Sequence, residues 1–401
     1  MLQNVQSYIQ AIGPKKFALS LAIQLGLATF LAHGYDFRVG YVAGRNVVQG
    51  SSPYLGGVLE GVLSMGYGQT VQGIGETPLW ALYNGFAYAI SNGHIFLFNL
   101  VTKIPIILAN IALSYLAYLR GCDAKFFLFN PFILLVTSSW GKPDNIATLL
   151  AVLPFLYPTT WGTAPLMLAL SFMIKPLALP LLPSYVGKFS HFRPKNALTF
   201  VIVLSLVTLL MFLIPFTMLR WPLDTVINGL GNWLKPAGGL SLFNVVEIFT
   251  GSYFLPDQLT FLGLLAPTSV LLLMAVGFLY PPADDAKTLR LALFSCLVFF
   301  SLRPWVSEQN LFIILTLVIF LDKRLSSKLL WIIPLLFSVA NLSLPQQLYL
   351  LRPSIIEEIH AVDNVARLWF KFILSIAWLA VIWRTAFLRG LVKWRECGGF
   401  C

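Results

Sequence analysis

Apolar residues run through this chain in long blocks broken by short polar links. The first block predicts a helix over 15–33. A Gly-rich segment, 34–93, follows it, and moderately apolar stretches at 58–65 and 78–91 predict helices lying in a membrane interface. The next long block predicts a helix over 94–119. Four short runs come after it, at 126–139, 145–157, 163–174 and 177–187, each interrupted by proline or a polar group. A helix of about 13 residues is roughly 20 Å long, against about 30 Å of hydrocarbon. Such runs are expected to surround a cavity that water or a lipid headgroup enters, rather than each to cross lipid alone. Long blocks resume at 197–219, 259–280, 289–302, 309–321, 329–343 and 366–388, with a polar loop over 220–258.

The pattern predicts an all-α integral membrane protein: one polytopic domain over 1–401, with about 12 transmembrane helices and interfacial helices in the first outer loop. Composition agrees. Hydrophobic residues make up 58% and charged residues 11%, where soluble domains carry about 25% charge. A β-barrel would alternate in segments of about 10 residues instead. The formal charge of +11 does not imply a nucleic-acid partner, because Lys and Arg gather in the links between apolar blocks. That is the positive-inside pattern, and it puts both termini inside. Lys15 and Lys16 precede the first block and no small-residue cleavage site follows it, so it reads as a signal anchor.

The titratable residues narrow the chemistry. Cys122, Cys296, Cys397 and Cys401 lack metal-ligand spacing, as do His33, His94, His191 and His360. Neither a disulfide framework nor a metal site is expected. Walker A, dinucleotide and nucleophile-elbow motifs are absent, so no cofactor is expected. Charge inside a membrane is costly, yet Asp36, Arg38, Arg45, Lys103, Lys142, Asp144, Lys175, Arg303 and Glu308 all fall near the outer ends of helices. Carboxylates mixed with cations on one face suit a site that binds phosphate and activates a hydroxyl. Asp36, in the surface stretch 33–54, is the candidate general base; the plainer reading is a solvated loop Asp beside Arg38. Asp144 is a second carboxylate or an N-cap for a helix starting near Ile146. Lys103 and Lys175 either bind a lipid phosphate or snorkel to the interface. Arg303 and Glu308 bracket a short link and can pair with each other.

An ordered set of short motifs then resembles the GT-C superfamily of polytopic glycosyltransferases. Asp36 is followed by Tyr41, Gly50, Pro53 and Tyr54, similar to that family's first-loop pattern. Thr77-Pro78-Leu79-Trp80, Lys103-Ile104-Pro105, Asn130-Pro131 with Trp140-Gly141-Lys142-Pro143-Asp144, and Lys175-Pro176 with Pro180 and Pro183 follow in order, and Glu308-Gln309-Asn310 resembles a late Glu-containing motif. The resemblance covers about 33–183 closely and 303–310 loosely; the module would span about 15–220, with C-terminal helices over about 259–390. It is nearest by eye to the mannosyltransferases of the GPI-anchor pathway type.

The resemblance implies inverting transfer of a hexose, mannose first, from a polyprenyl-phosphate carrier to a lipid-linked or glycan acceptor on the extracytoplasmic or lumenal face. Asp36 would be the base. Arg38, Lys103, Lys142, Lys175 and Arg303 would hold the donor phosphate and carrier, and Tyr41, Tyr54, Trp140, Asp144 and Glu308 would line the substrate. Asp36-Phe37-Arg38 departs from the Asp-x-Asp of some relatives, so no metal is implied. Lys142 replaces a Gln, and Asn110 stands where some relatives have Asp. A transporter or lipid flippase, and a non-catalytic subunit of a glycan-assembly complex, are the competing classes.

Overall fold

The computed structural model describes residues 2–61, 63, 68–157, 162–190, 193–226, 236–325, 327–361 and 364–391. His191, Cys397 and Cys401 lie outside them. About 75% of the structure is helical, and the described residues form two short two-stranded pairings. Among the described residues four helices are long and apolar enough to cross a membrane: Ile95–Leu119, Pro194–Leu219, Asp257–Leu279 and Val365–Leu388. The other apolar blocks also fold as helices close to their expected places: Thr163–Ile174 covers its expected run, and Leu329–Ala340 stops a little before the expected end at 343.

Contacts divide the chain into two compact units. The first comprises Met1–Ile146, Pro215–Gly229 and Ser338–Asn364. It begins with α1 (Leu2–Ile12) and α2 (Pro14–Phe30), then α3 (Gly34–Val48), a hairpin of β1 (Gly57–Leu59) and β2 (Gln69–Val71), α4 (Pro78–Ser91) and α5 (Ile95–Leu119). Two expectations fail in this stretch. Residues 34–48 are helix rather than surface loop, started by a His33 N-cap whose Nδ1 accepts from the Asp36 N–H. Part of the 58–65 stretch is extended and pairs antiparallel with β2, Val58 opposite Thr70. Asn46 and Arg45 on α3 hold that hairpin by donating to the carbonyls of Gly56 and Val58, at 2.7 and 2.9 Å. These side chains satisfy backbone groups that a two-stranded ribbon leaves unpaired.

Local chemistry explains the remaining turns. Pro105 within α5 has no N–H for the carbonyl of Val101, and the Tyr83 hydroxyl donates to that carbonyl at 2.8 Å. Asn130 caps the Pro131–Leu134 turn, its Oδ1 accepting from the N–H groups of Phe132 and Ile133. The chain then widens into a π turn, Leu135–Ser139. A polar seam pins this turn to α2 and α5. Asn110 donates to Gln24 and to Thr137, Ser138 donates to Gln24, and Asn145 donates to Asn110 and to the carbonyl of Ile106. Gln24, Asn110 and Asn145 are fully buried, where an unpaired amide costs about 1–3 kcal/mol.

The second unit comprises Ala147–Ile214, Leu230–Phe337 and Val365–Cys401. The helix segment 311–319, apolar but for Thr316, is buried throughout. Glycines let Leu182–Ser190 and Leu265–Leu279 touch backbone to backbone at Gly187 and Gly277. Lys371 pairs with Glu247 at 2.7 Å, and Asn244 donates to Ser375 at 2.9 Å. An apolar cavity of about 480 Å³ is lined by Phe172, Leu204, Phe212 and Met274 among others.

In the first unit, α3 and α4 also meet across glycines. A Cβ on Gly44 would lie 2.6 Å from the carbonyl oxygen of Asn84, and one on Gly85 would lie 2.4 Å from Val47. The Asn84 carbonyl is backbone and cannot turn aside, so Gly44→Ala is expected to cost about 1–3 kcal/mol and to lower the melting midpoint in detergent. A Gly44→Ala protein melting with the wild type would show that the helices can separate freely.

Candidate functional site

Three segments of the first unit converge on one buried ionic cluster. The first turn of α3 supplies Asp36, the turn after the π segment supplies Trp140 and Lys142, and the stretch before α4 supplies Glu76. Trp140 Nε1 donates to Asp36 Oδ2 at 2.5 Å, and Lys142 Nζ lies 2.8 Å from Asp36 Oδ1. The same ammonium donates to Glu76 Oε1. His33 stacks flat on Trp140, 4.2 Å between ring centres, with its Nδ1 3.3 Å from Asp36 Oδ2. Gly141 sits between the two donors at φ +86°, and a Cβ there would lie 2.5 Å from Lys103 Cε. Only glycine fits this turn without strain.

Lys103, on α5, is 2% exposed. Its Nζ donates to the carbonyls of Leu31 and Ser139, at 2.6 and 2.5 Å. It does not snorkel to an interface; it joins the end of α2 to the end of the π turn. Behind the cluster, Ser139 Oγ donates to Gln347 Oε1 at 3.0 Å, and the Ala32 N–H donates to the carbonyl of Gln347 at 2.9 Å.

Burial alone would raise the Asp36 carboxyl. The Lys142 ammonium overrules it, helped by the hydrogen bonds from Lys142 and Trp140, and holds Asp36 down at about 2. Burial alone would lower Lys142, but the two carboxylates raise it. His33 is pushed down to about 4, by burial first and by the cations Lys142 and Arg38 against the attraction of Asp36. At neutral pH Asp36 is therefore a carboxylate, Lys142 an ammonium and His33 a neutral imidazole.

A cavity of about 40 Å³ opens on the cluster, lined by Asp36, Glu76, Lys103, Trp140 and Lys142 with Asn84 and Thr102. That is room for about one water. The hydroxyls of Tyr54, Thr77 and Thr102 are buried without a hydrogen-bond partner. Tyr54 stacks on Phe216, 5.6 Å between ring centres, and feels the charge of Glu76.

Four of the residues singled out in the sequence thus share one cavity: Asp36, Lys103, Trp140 and Lys142. Asp36 is neither in a loop nor paired with Arg38, whose Nη1 donates to Gln69 at 2.7 Å and whose guanidinium lies 5.7 Å over Tyr349. Tyr41 donates its hydroxyl to the carbonyl of Gly93 at 2.6 Å, away from the cavity lining. Asp144 is 1% exposed and is itself the first residue of the helix Asp144–Leu156, so that helix starts two residues before Ile146. Lys175, Arg303 and Glu308 belong to the second unit. There Lys175 is extended between two helices, Arg303 lies 5.8 Å over Phe299, and Glu308, 1% exposed, starts a short turn capped by Ser307. Sequence reasoning passed over Glu76. Its signal was its position, an acid directly before the Thr77-Pro78 helix start.

No family model matches the chain, and no curated protein does.

The folded pKa of His33 lies below its ordinary 6.5, so its contribution to stability is complete above that pH and is lost as pH falls toward 4. The loss is up to about 3 kcal/mol. The Asp36 contribution persists to lower pH, being lost only as pH falls through about 2. The melting midpoint in detergent is therefore expected to drop between pH 7 and 4.5, and to drop less in His33→Asn, which keeps a capping acceptor but cannot titrate. Equal drops in both proteins would assign the titration elsewhere.

Proposed function

We propose that the chain is an integral membrane glycosyltransferase, taking a hexose from a polyprenyl-phosphate carrier with inversion. The supporting observation is that the Asp36 carboxylate and the Lys103 and Lys142 ammonium groups line one buried cavity. In this reading the protein has about 12 membrane-crossing or re-entrant segments, and the cavity faces the extracytoplasmic or lumenal side. Lys142 turns toward the donor phosphate, and Lys103, with one N–H beyond its two carbonyl bonds, lines the same cavity. The acceptor hydroxyl oxygen attacks the anomeric carbon. The bond from that carbon to the phosphate oxygen breaks with its electron pair on the phosphate, and the hydroxyl proton passes to Asp36. Trp140 holds the carboxylate in orientation. The cavity must widen to admit a sugar, and its wall at Ile74 and Glu76 has no helical hydrogen bonds to break. Polyprenyl phosphate is the leaving group, and a lipid-linked or glycan hydroxyl is the acceptor.

Transfer from radiolabelled polyprenyl-phosphate hexoses into a lipid extract tests this. Asp36→Asn is expected to lose about 10²–10⁴-fold in kcat while still binding the donor, and chelator is expected to leave the wild type unaffected. Full activity in Asp36→Asn would remove Asp36 as the base, and no transfer from any polyprenyl-phosphate hexose would overturn the proposal.

A further inference from the structure

Two carboxylates share one ammonium in this cluster, and one carboxylate would have been enough to hold it. The Asp36, Glu76 and Lys142 side chains are 19%, 10% and 13% exposed. A second, mostly buried acid is costly to fold around. Glu76 lies in the extended stretch that leads into α4, with Thr77 as the N-cap residue and Pro78 first in the helix, so its backbone is fixed by the helix start. The other charges nearby are engaged: His33 is neutral, Lys103 donates to two carbonyls, and Arg38 donates to Gln69 and to the carbonyl of Gly34.

The electrostatics give the extra acid a consequence. An ammonium drawn toward two carboxylates holds each less firmly than it would hold one, and the two like charges repel. Asp36 paired with Lys142 alone would be a still weaker base than it is. The second negative charge also opposes any anion entering the cavity.

We propose that Glu76 is a positioning residue that draws part of the Lys142 ammonium away from Asp36, leaving Asp36 more basic at the expense of affinity for the anionic donor. The role of Asp36 as base rests on the glycosyl-transfer reading; the effect on anion affinity does not. Glu76 thereby weakens the ground state in favour of the step in which the proton moves, which raises kcat rather than tightening binding.

The test compares wild type, Glu76→Gln, Glu76→Asp and Lys142→Met in detergent, each checked for folding by its melting midpoint. Binding of undecaprenyl phosphate is measured against neutral undecaprenol, with inorganic phosphate separating headgroup from chain, beside steady-state transfer. Glu76→Gln is expected to lose about tenfold or more in kcat while its donor KM and undecaprenyl phosphate Kd fall about three- to tenfold. Lys142→Met is expected to bind undecaprenyl phosphate more weakly, and Glu76→Asp, keeping the charge, to stay near the wild type. A folding defect would lower the apparent kcat and leave KM and the undecaprenyl phosphate Kd unchanged. An unchanged kcat in Glu76→Gln, or a kcat loss with an unchanged or raised KM, overturns the proposal. If the wild type transfers no sugar, the glycosyl-transfer reading fails, and the binding arm still decides on Glu76: affinity equal to or weaker than the wild type in Glu76→Gln overturns its place beside an anion site.

Discussion

One buried ammonium assembles the site. Lys103 reaches from the middle of α5 and donates to two carbonyls, those of Leu31 and Ser139. Each carbonyl stands just before a functional segment: Leu31 before His33 and Asp36, Ser139 before Trp140 and Lys142. Both segments end helical turns, where carbonyls lack a helical partner. A cation in apolar surroundings needs such acceptors, and these carbonyls need donors, the Leu31 carbonyl accepting from Asn99 as well. Satisfying both needs with one side chain brings a carboxylate from residue 36 and its donors from residues 140 and 142 into contact.

The polar seam of Gln24, Asn110 and Asn145 extends this logic along α5. Leu and Ile faces pack against one another in many registers, but amides bonded to each other do not slide. The π turn depends on that seam, because Thr137 and Ser138 both bond into it.

The apolar blocks located most of the helices, though not Leu2–Ile12, Gly34–Val48, Asn244–Thr250 or Ile355–Ala361, because long runs bounded by proline and glycine have few other ways to satisfy their backbone groups. They also placed most helix ends to within a few residues; the 126–139 run is the exception, breaking at Asn130 into two short helices and a π turn. The segment 34–48 was misread because its glycines and tyrosines suggest a loop; what makes it helical is a His33 cap and glycine contacts with α4, neither of which has a periodic signature. Asp36, Lys103, Trp140 and Lys142 were legible because charged or indole groups in apolar surroundings demand partners. That Arg38 turns to Gln69, and that Lys142 has a second acid at Glu76, depends on the path of residues 68–77. Short, irregular chain carries no pattern from which to read it.

The π turn has one more consequence. It carries the chain through Leu135–Ser139 with one more residue than an α-helix would use over the same advance. Side chains step round a helix by about 100° per residue, so chain length here sets an angle. Losing one residue from this turn would leave every side chain in it apolar or polar as before. It would also swing Trp140 and Lys142 about a quarter of a turn away from Asp36. The cluster is therefore encoded partly by counting: a single-codon deletion within 135–139 would dismantle the site while leaving its chemistry intact in the sequence.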